Sequence, residues 1–342
     1  MSSITEMPEL VLEKIIEFSD FKSVLSLRQV CRGFRNFINN LNDSKLPDSK
    51  FTNIYFFSKK EGNKIVLDFM DSDDSFDSFE YSETENSRTF NGKTTDLGSS
   101  NIVGVAIRDL ELILKFQKSI LESIYFTFDD FRHQHDSELL ILPIKLSNML
   151  KATGRKIKTR QLTTKTYDES KMMSVLPYAD LEALKVLHIY SLNEDENNDV
   201  QMDFFEISET EQWKKAERMD CDFRVLNLIV EDVSHFSKLS IKVPSITARD
   251  LDFLKKTYIN SSKFERAIFD LLVFNEQEEI SNLWGPAFDS GSSSHWYFRI
   301  KSSEEEILRI EFCNIYPPFF LFEIIGPEDV LAGAIVHDYD EN

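Results

Sequence analysis

The stretch MPELVLEKIIEFSDFKSVLSLRQVCRGFRNFINN, residues 7–40, decides how the rest of the chain is read. Pro8 sits where the first turn of a helix tolerates it, because its missing N–H would be unsatisfied there anyway. Leu10, Val11, Leu12, Ile15, Ile16 and Phe18 follow. At about 100° per residue they cover about 240° of the helix circumference, wider than one core-facing stripe requires. Ser19 and Asp20 break and recap the chain, and Phe21, Val24, Leu25 and Leu27 continue on a short second helix. Val30, Phe34, Phe37, Ile38 and Leu41 recur at i, i+4, i+7, i+8 and i+11 on a third, with Arg28, Arg32 and Arg35 alongside. Three helices in about 40 residues cannot bury apolar surface on so many sides by themselves. The block requires a neighbour.

Working outward, the period becomes strand-like at Phe51, and residues 51–57 and 65–69 read as a hairpin closed by Glu61–Lys64. Residues 68–85 hold eight acids (Asp68, Asp71, Asp73, Asp74, Asp77, Glu80, Glu83, Glu85) and no Lys or Arg, which predicts a solvated loop anchored by Phe69, Phe76, Phe79 and Tyr81. From about residue 102 helices alternate with short strands of the form apolar-x-x-apolar-x-apolar. Val103, Ile107, Leu110 and Leu114 mark a helix. The strands begin at Leu121, Leu184, Phe223 and Phe236. Leucine-rich repeats place one strand and one helix in each ~20–29 residues, and this is a longer, irregular relative. Ser208-x-x-Glu211 and Thr247-x-x-Asp250 read as capping boxes. A Ser/Gly loop at 289–294 precedes strands at Trp296–Ile300 and Ile307–Phe312, an apolar run to Ile325 and an acidic tail at 338–342. The expected fold class is α/β (α+β): a three-helix block at 1–47, a β-hairpin region with an acidic loop at 48–101, and a leucine-rich-repeat-like α/β region with C-terminal strands at 102–342.

Charge and composition exclude several functions. The 342 residues carry 39 Lys+Arg against 59 Asp+Glu, a formal charge of −20. Duplex nucleic acid is disfavoured as the partner, since binding there rests on neutralising phosphates, and so is an anionic membrane surface. No stretch approaches the ~18 apolar residues of a membrane span. Cys31, Cys221 and Cys313, odd in number and widely spaced with no signal peptide, read as reduced thiols in a cytoplasmic or nuclear protein. Hydrophobic residues at 42% and 29 phenylalanines point to extensive apolar packing.

Catalytic signatures are missing. There is no phosphate-cradling Gly loop, zinc-protease His pair or nucleophile elbow, and only ten glycines in all. His133 and His135 lack companions at metal-ligand spacing. In the stretch Asp195-x-Asn197-x-Asp199-x-Gln201-x-Asp203-x-x-Glu206 oxygen ligands fall at loop positions 1, 3, 5, 9 and 12 of a calcium loop, but Val200 stands where its sharp turn needs Gly, so an acidic surface loop is expected. Asp289-Ser290-Gly291-Ser292-Ser293-Ser294 has the form of a phosphodegron, in which phosphates on Ser290 and Ser294 would supply charge for arginine pairing.

The N-terminal block resembles an F-box through Met7-Pro8-Glu9-Leu10, Ile15-Ile16, Leu27-Arg28, Val30-Cys31-Arg32 and Phe34. Met7 and Phe18 stand where that family usually has Leu, and Phe34 where it often has Trp. The remainder resembles the FTH domain found behind F-boxes in a nematode family, through Gln212-Trp213-Lys214, Ala216, His235-Phe236, Ile246-Thr247, Asp250-Leu251, Leu254 and Phe264. The resemblance implies an adaptor of an SCF (cullin-RING) ubiquitin ligase, without a catalytic site or cofactor of its own. Its F-box would dock on the Skp linker subunit and its FTH domain would hold an unspecified substrate protein. Carried over position by position, Pro8, Leu10, Ile15, Ile16, Val30, Cys31 and Phe34 would form or support the linker-binding face. The alternative is a protein-interaction scaffold without ubiquitin transfer.

Overall fold

In the computed structural model, which describes residues 7–73, 75–131, 137–192, 200–301 and 303–338, Asp20 divides the first two helices by accepting a hydrogen bond from the Ser23 amide at 2.7 Å, the N-cap arrangement its side chain favours. Helix α1 (Glu9–Glu17) begins directly after Pro8, which is its N-cap. Helices α2 (Phe21–Val30) and α3 (Arg32–Asn40) are separated by the single extended residue Cys31, at φ −159° and ψ 166°. This corrects the expected third helix. Val30 ends α2 and Leu41 lies beyond α3, so the i, i+4 spacing from Val30 to Phe34 crosses a break and the two side chains do not share a helix face.

The chain forms two compact units, Met1–Leu162 with Tyr178–Ala183, and Thr163–Pro177 with Leu184–Asn342. The first contains the three helices and an antiparallel meander of β1 (Phe51–Lys59), β2 (Lys64–Asp71), β3 (Phe76–Ser82), β4 (Ser87–Phe90) and β5 (Lys93–Asp96). The acidic stretch is therefore not the loop that its charge predicts. β3 runs through it with Asp77, Phe79 and Tyr81 turned inward, although Phe76 stays exposed. Basic residues distant in sequence make this possible, since Lys22 pairs with Asp77 at 3.0 Å and Lys64 with Glu80 at 2.7 Å. β4 and β5 turn on Asn91-Gly92, both at positive φ, the residue pair that a two-residue hairpin favours. After α4 (Ile102–Phe116), β6 (Leu121–Thr127) lies parallel to β1, with Ile54 opposite Ile124 and Phe56 opposite Phe126. α5 (Leu142–Thr153) buries Leu142, Leu146 and Leu150.

The three helices join this unit through Phe21, 4% exposed. Its ring meets Phe51 and Phe116 edge-on at 5.1 Å and Phe69 at 6.1 Å. Val24, Phe34, Ile38, Leu41 and Leu46 are buried with it.

β7 (Thr159–Thr166) carries the chain into the second unit, where α6 (Glu169–Met173), β8 (Val186–Ser191), β9 (Gln201–Met202), α7 (Phe205–Ser208), α8 (Glu211–Lys215), β10 (Arg218–Val225), β11 (Lys238–Val243), α9 (Ala248–Ile259), β12 (Arg266–Leu271) and α10 (Gln277–Trp284) follow. β8, β10, β11 and β12 are parallel neighbours, and their buried positions fall in one register: Leu187, Met219, Leu239 and Ala267 form one row. Two details of the expected repeat differ. The third repeated strand is Met219-x-Cys221-x-Phe223 and not Phe223-x-x-Leu226, because sulfur side chains occupy the inward positions and Leu226 is exposed. Thr210, not Ser208, caps the helix carrying Trp213, accepting from the Trp213 amide at 3.2 Å. The capping box at Thr247 and Asp250 is complete. Antiparallel strands close the unit: β16 (Phe319–Ile325) pairs with β12 and with β15 (Ser303–Cys313), and β15 pairs with β14 (Ser293–Ile300), whose other edge takes β13 (Phe288–Asp289) and, in parallel, β17 (Val336–His337).

Two histidines couple this packing to pH. His235 Nε2 donates to the Trp213 carbonyl at 3.0 Å, and His295 Nε2 lies 2.7 Å from Ser290 Oγ. Burial pushes both imidazoles below the usual histidine range. The unfolded chain therefore binds protons more readily than the folded one as pH falls through about 6.5, and stability present above that value is lost on acidification. The melting midpoint should fall between about pH 7.5 and 5.5, and fall less steeply in a His235→Gln, His295→Gln variant. Phe21→Ala should cost about 3–5 kcal/mol in denaturant unfolding of the first unit, as for a fully packed aromatic.

Candidate partner-docking site

Helix α1 has two apolar faces. Leu12 and Ile16, about 40° apart on the helical wheel, are buried. Leu10, Val11 and the C-cap Phe18 fall within an arc of about 100° on the far side and are exposed, Leu10 by 66% and Phe18 by 83%, and Met7, just before the helix, is exposed too. An exposed apolar stripe is informative where single exposed residues are not. Lys14 lies 5.7 Å from the Phe18 ring centroid and pairs with Glu17 at 2.7 Å. That hydrogen bond holds the Glu17 carboxyl below its ordinary value. Beside the stripe, α1 and α3 enclose a groove of about 450 Å³ lined by Met7, Leu12, Glu13, Phe34 and Phe37.

The end of α3 and the turn after it are tied down. Lys115 Nζ donates to the carbonyls of Asn39 and Leu41 at 2.8 and 3.2 Å, covering the carbonyl end of α3 where a cation is favoured. Arg155 pairs with Asp43 at 2.5 Å. The apolar surplus of the block is thus divided: Phe21, Phe34 and Ile38 are satisfied within the first unit, and the outer face of α1 is not.

The residues singled out by sequence divide the same way. Pro8, Leu10 and Val30 are exposed, Ile15 and Cys31 half-buried, and Ile16 and Phe34 buried at 1% and 2% exposure. Phe34 nonetheless borders the groove. Val11 and Phe18 belong to the outward stripe and were missing from that set. Their wheel angles were legible, but which arc faced inward was not.

In the second unit the residues that carried the resemblance are structural. Trp213 is buried edge-on between Phe204 and Phe236 at 5.5 and 5.1 Å and donates through Nε1 to the Asp232 carbonyl at 2.8 Å. Phe264 stacks on Tyr258 at 3.7 Å. Exposed apolar side chains collect elsewhere, where the parallel strands end: Phe205 beyond β9, Leu226 and Ile229 beyond β10, and Leu272 and Val273 beyond β12.

With this geometry in place, comparison with family models finds an F-box domain over residues 4–46 and an FTH domain over residues 144–286. The chain is an F-box protein with a C-terminal FTH domain. F-box domains in general bind Skp-type linkers and mark substrate adaptors of SCF ligases. No curated protein and no solved structure matches the chain.

Other chemistry does not assemble at either place. Among the described residues no cluster of His, Cys, Asp and Glu is fit to hold a metal ion. His133, His135, Asp195, Asn197 and Asp199 lie outside the described residues. All three cysteines are free thiols, and burial pushes the Cys221 thiol far up. Ser290 and Ser294 are engaged inside the β13–β14 hairpin, the latter donating to Asp289 at 2.7 Å. Among the described residues no helix is long and apolar enough to cross a membrane.

Because Leu10 and Phe18 are exposed, Leu10→Ser with Phe18→Ser should change unfolding free energy by no more than about 0.5 kcal/mol. Ile16→Asp should unfold the helical block, measured by circular dichroism, since it places an unpaired carboxylate in the core.

Proposed function

We propose that this F-box protein is the substrate-recognition subunit of an SCF ubiquitin ligase, catalytically silent itself. Its F-box (residues 1–47) docks on a Skp-type linker through the outer face of α1 and the adjoining groove. The observation that carries this reading is the second apolar face of α1, exposed while Phe21, Phe34 and Ile38 of the same block are buried. Leu10, Val11 and Phe18 supply the buried area of such an interface, with Pro8 and Val30 beside them as exposed contacts. Ile15 and Cys31 sit at the margin, and Ile16 and Phe34 hold the helices in place from beneath. Burying Leu10 alone contributes about 1.5–3 kcal/mol before association costs.

The strand–helix units of the FTH region (102–342) form a degenerate leucine-rich-type array, and its strand-end rim, with Phe205, Leu226, Ile229, Leu272 and Val273, receives the substrate protein. Adaptor function requires only that one chain hold both partners, raising the effective concentration of substrate at the ubiquitin carrier. A cytoplasmic or nuclear location with reduced thiols fits this role. Nothing in it calls for a cofactor, nucleic acid or membrane.

Leu10→Asp with Phe18→Asp should abolish co-purification of the full chain with the linker while leaving its melting temperature unchanged. Phe205→Asp with Ile229→Asp should retain the linker and lose the captured protein. Reconstitution with cullin components should build ubiquitin chains on that protein. Linker binding without chain formation would identify a scaffold, and undiminished linker binding by the first variant would refute the docking face.

A further inference from the structure

In a chain of net charge −20, four of the fourteen arginines line one pocket of about 420 Å³ in the first unit. Arg28 comes from α2, Arg35 and Asn39 from α3, Arg88 from β4, and Arg108 and Asp109 from α4. Asp109 is the one carboxylate in the lining, and it is already committed. It pairs with Arg88 at 2.9 Å and accepts from the Tyr81 hydroxyl at 2.7 Å. Arg88 is further held with its guanidinium carbon 4.4 Å from the Phe79 ring centroid, and Phe79 stacks on Phe90 at 4.2 Å.

The other three arginines have no carboxylate partner among the described residues. Arg28 Nη2 donates to Asn39 Oδ1 at 2.9 Å, but its Nε is buried without a hydrogen-bond partner. Arg35 Nε reaches only the Arg28 carbonyl, at 3.4 Å. Arg108 is exposed at the rim. Burial pushes Arg28 below the usual guanidinium range; Asp109 opposes this, while Arg35 and Arg88 add to it. Crowded, partly desolvated guanidinium groups are stabilised by an anion that accepts several N–H bonds at once, and phosphate matches their planar fork.

We propose that this pocket binds a phosphate-bearing ligand, contacted by Arg28, Arg35 and Arg108 and by the free amide N–H groups of Asn39, with Arg88 held at its edge by Asp109. The volume is that of a small-molecule site, and the ring floor of Phe79 and Phe90 accommodates an organic portion. None of its residues belongs to the outer stripe of α1, so the site stands or falls independently of linker docking.

Titrating inorganic pyrophosphate into the full chain at low ionic strength, where screening is weak, should show saturable one-site binding by calorimetry and a rise in melting temperature. Arg35→Gln with Arg108→Gln, both at exposed positions, should weaken binding at least tenfold with the unliganded melting temperature preserved, and Arg28→Met should do the same. Lys93→Gln, equal in charge change to Arg28→Met but outside the pocket, should bind as wild type. A phosphoserine peptide that displaces pyrophosphate, with its unphosphorylated form inert, would place the phosphate on a protein side chain; failure of that peptide beside intact pyrophosphate binding would place it on a small molecule. No heat and no thermal shift at millimolar pyrophosphate would overturn the site. Equal weakening by Lys93→Gln and the arginine variants would overturn it too.

Discussion

Phe21 governs the first unit because it is the side chain through which a helical block too small to be self-sufficient joins a sheet. Three other rings, Phe51, Phe69 and Phe116, receive it from two strands and a helix. Edge-to-face pairs of this kind are each worth about 0.5–1.5 kcal/mol beyond area burial. Anchoring the block on that side leaves its opposite side without a partner. The same contact therefore stabilises the unit while the outer face of α1 stays exposed. Were α2 free to pivot, neither the groove between α1 and α3 nor the outward stripe of α1 would have a fixed shape.

Charge is distributed to support that anchor. The chain carries a net charge of −20, yet basic side chains stand where the helices meet the rest of the unit: Lys22 on Asp77, Lys115 on the carbonyl end of α3, Arg155 on Asp43. Lys22 is largely exposed while Asp77 is nearly buried, so the pair is favoured because an inward-facing carboxylate of β3 would otherwise be unpaired. Four arginines converging around one committed carboxylate go beyond what such stitching needs. That excess separates a surface fit for an anion from an ordinary network of ion pairs.

The second unit builds its rigidity from rows of aligned side chains. In-register parallel pairing stacks Leu187, Met219, Leu239 and Ala267, while Trp213 ties a short helix to a loop carbonyl. Residues at such positions have no exposed chemistry. Exposed apolar side chains lie instead at the ends of the strands, where the pairing stops.

Local chemistry was legible at several residues that act on their own neighbours. Asp20 caps, Thr247 and Asp250 form their reciprocal box, and residues 102–116 and 121–127 take the helix and strand that their periods predict. The apolar surplus of residues 7–40 was also countable in advance. The acidic stretch from 68 to 85 misled because charge alone suggested solvent, whereas Lys22 and Lys64 pair with Asp77 and Glu80; Asn91-Gly92 was a missed turn signal because Phe90 is the one apolar residue in its flanks. Met219 and Cys221 hid a strand by replacing the expected aliphatics. By itself the sequence determined that α1 carries more apolar arc than one core can use, since wheel angles depend only on helix geometry. Which arc faces inward, and that Arg28, Arg35, Arg88 and Arg108 meet around one cavity, was decided only by tertiary packing, because both depend on contacts between segments far apart in the chain.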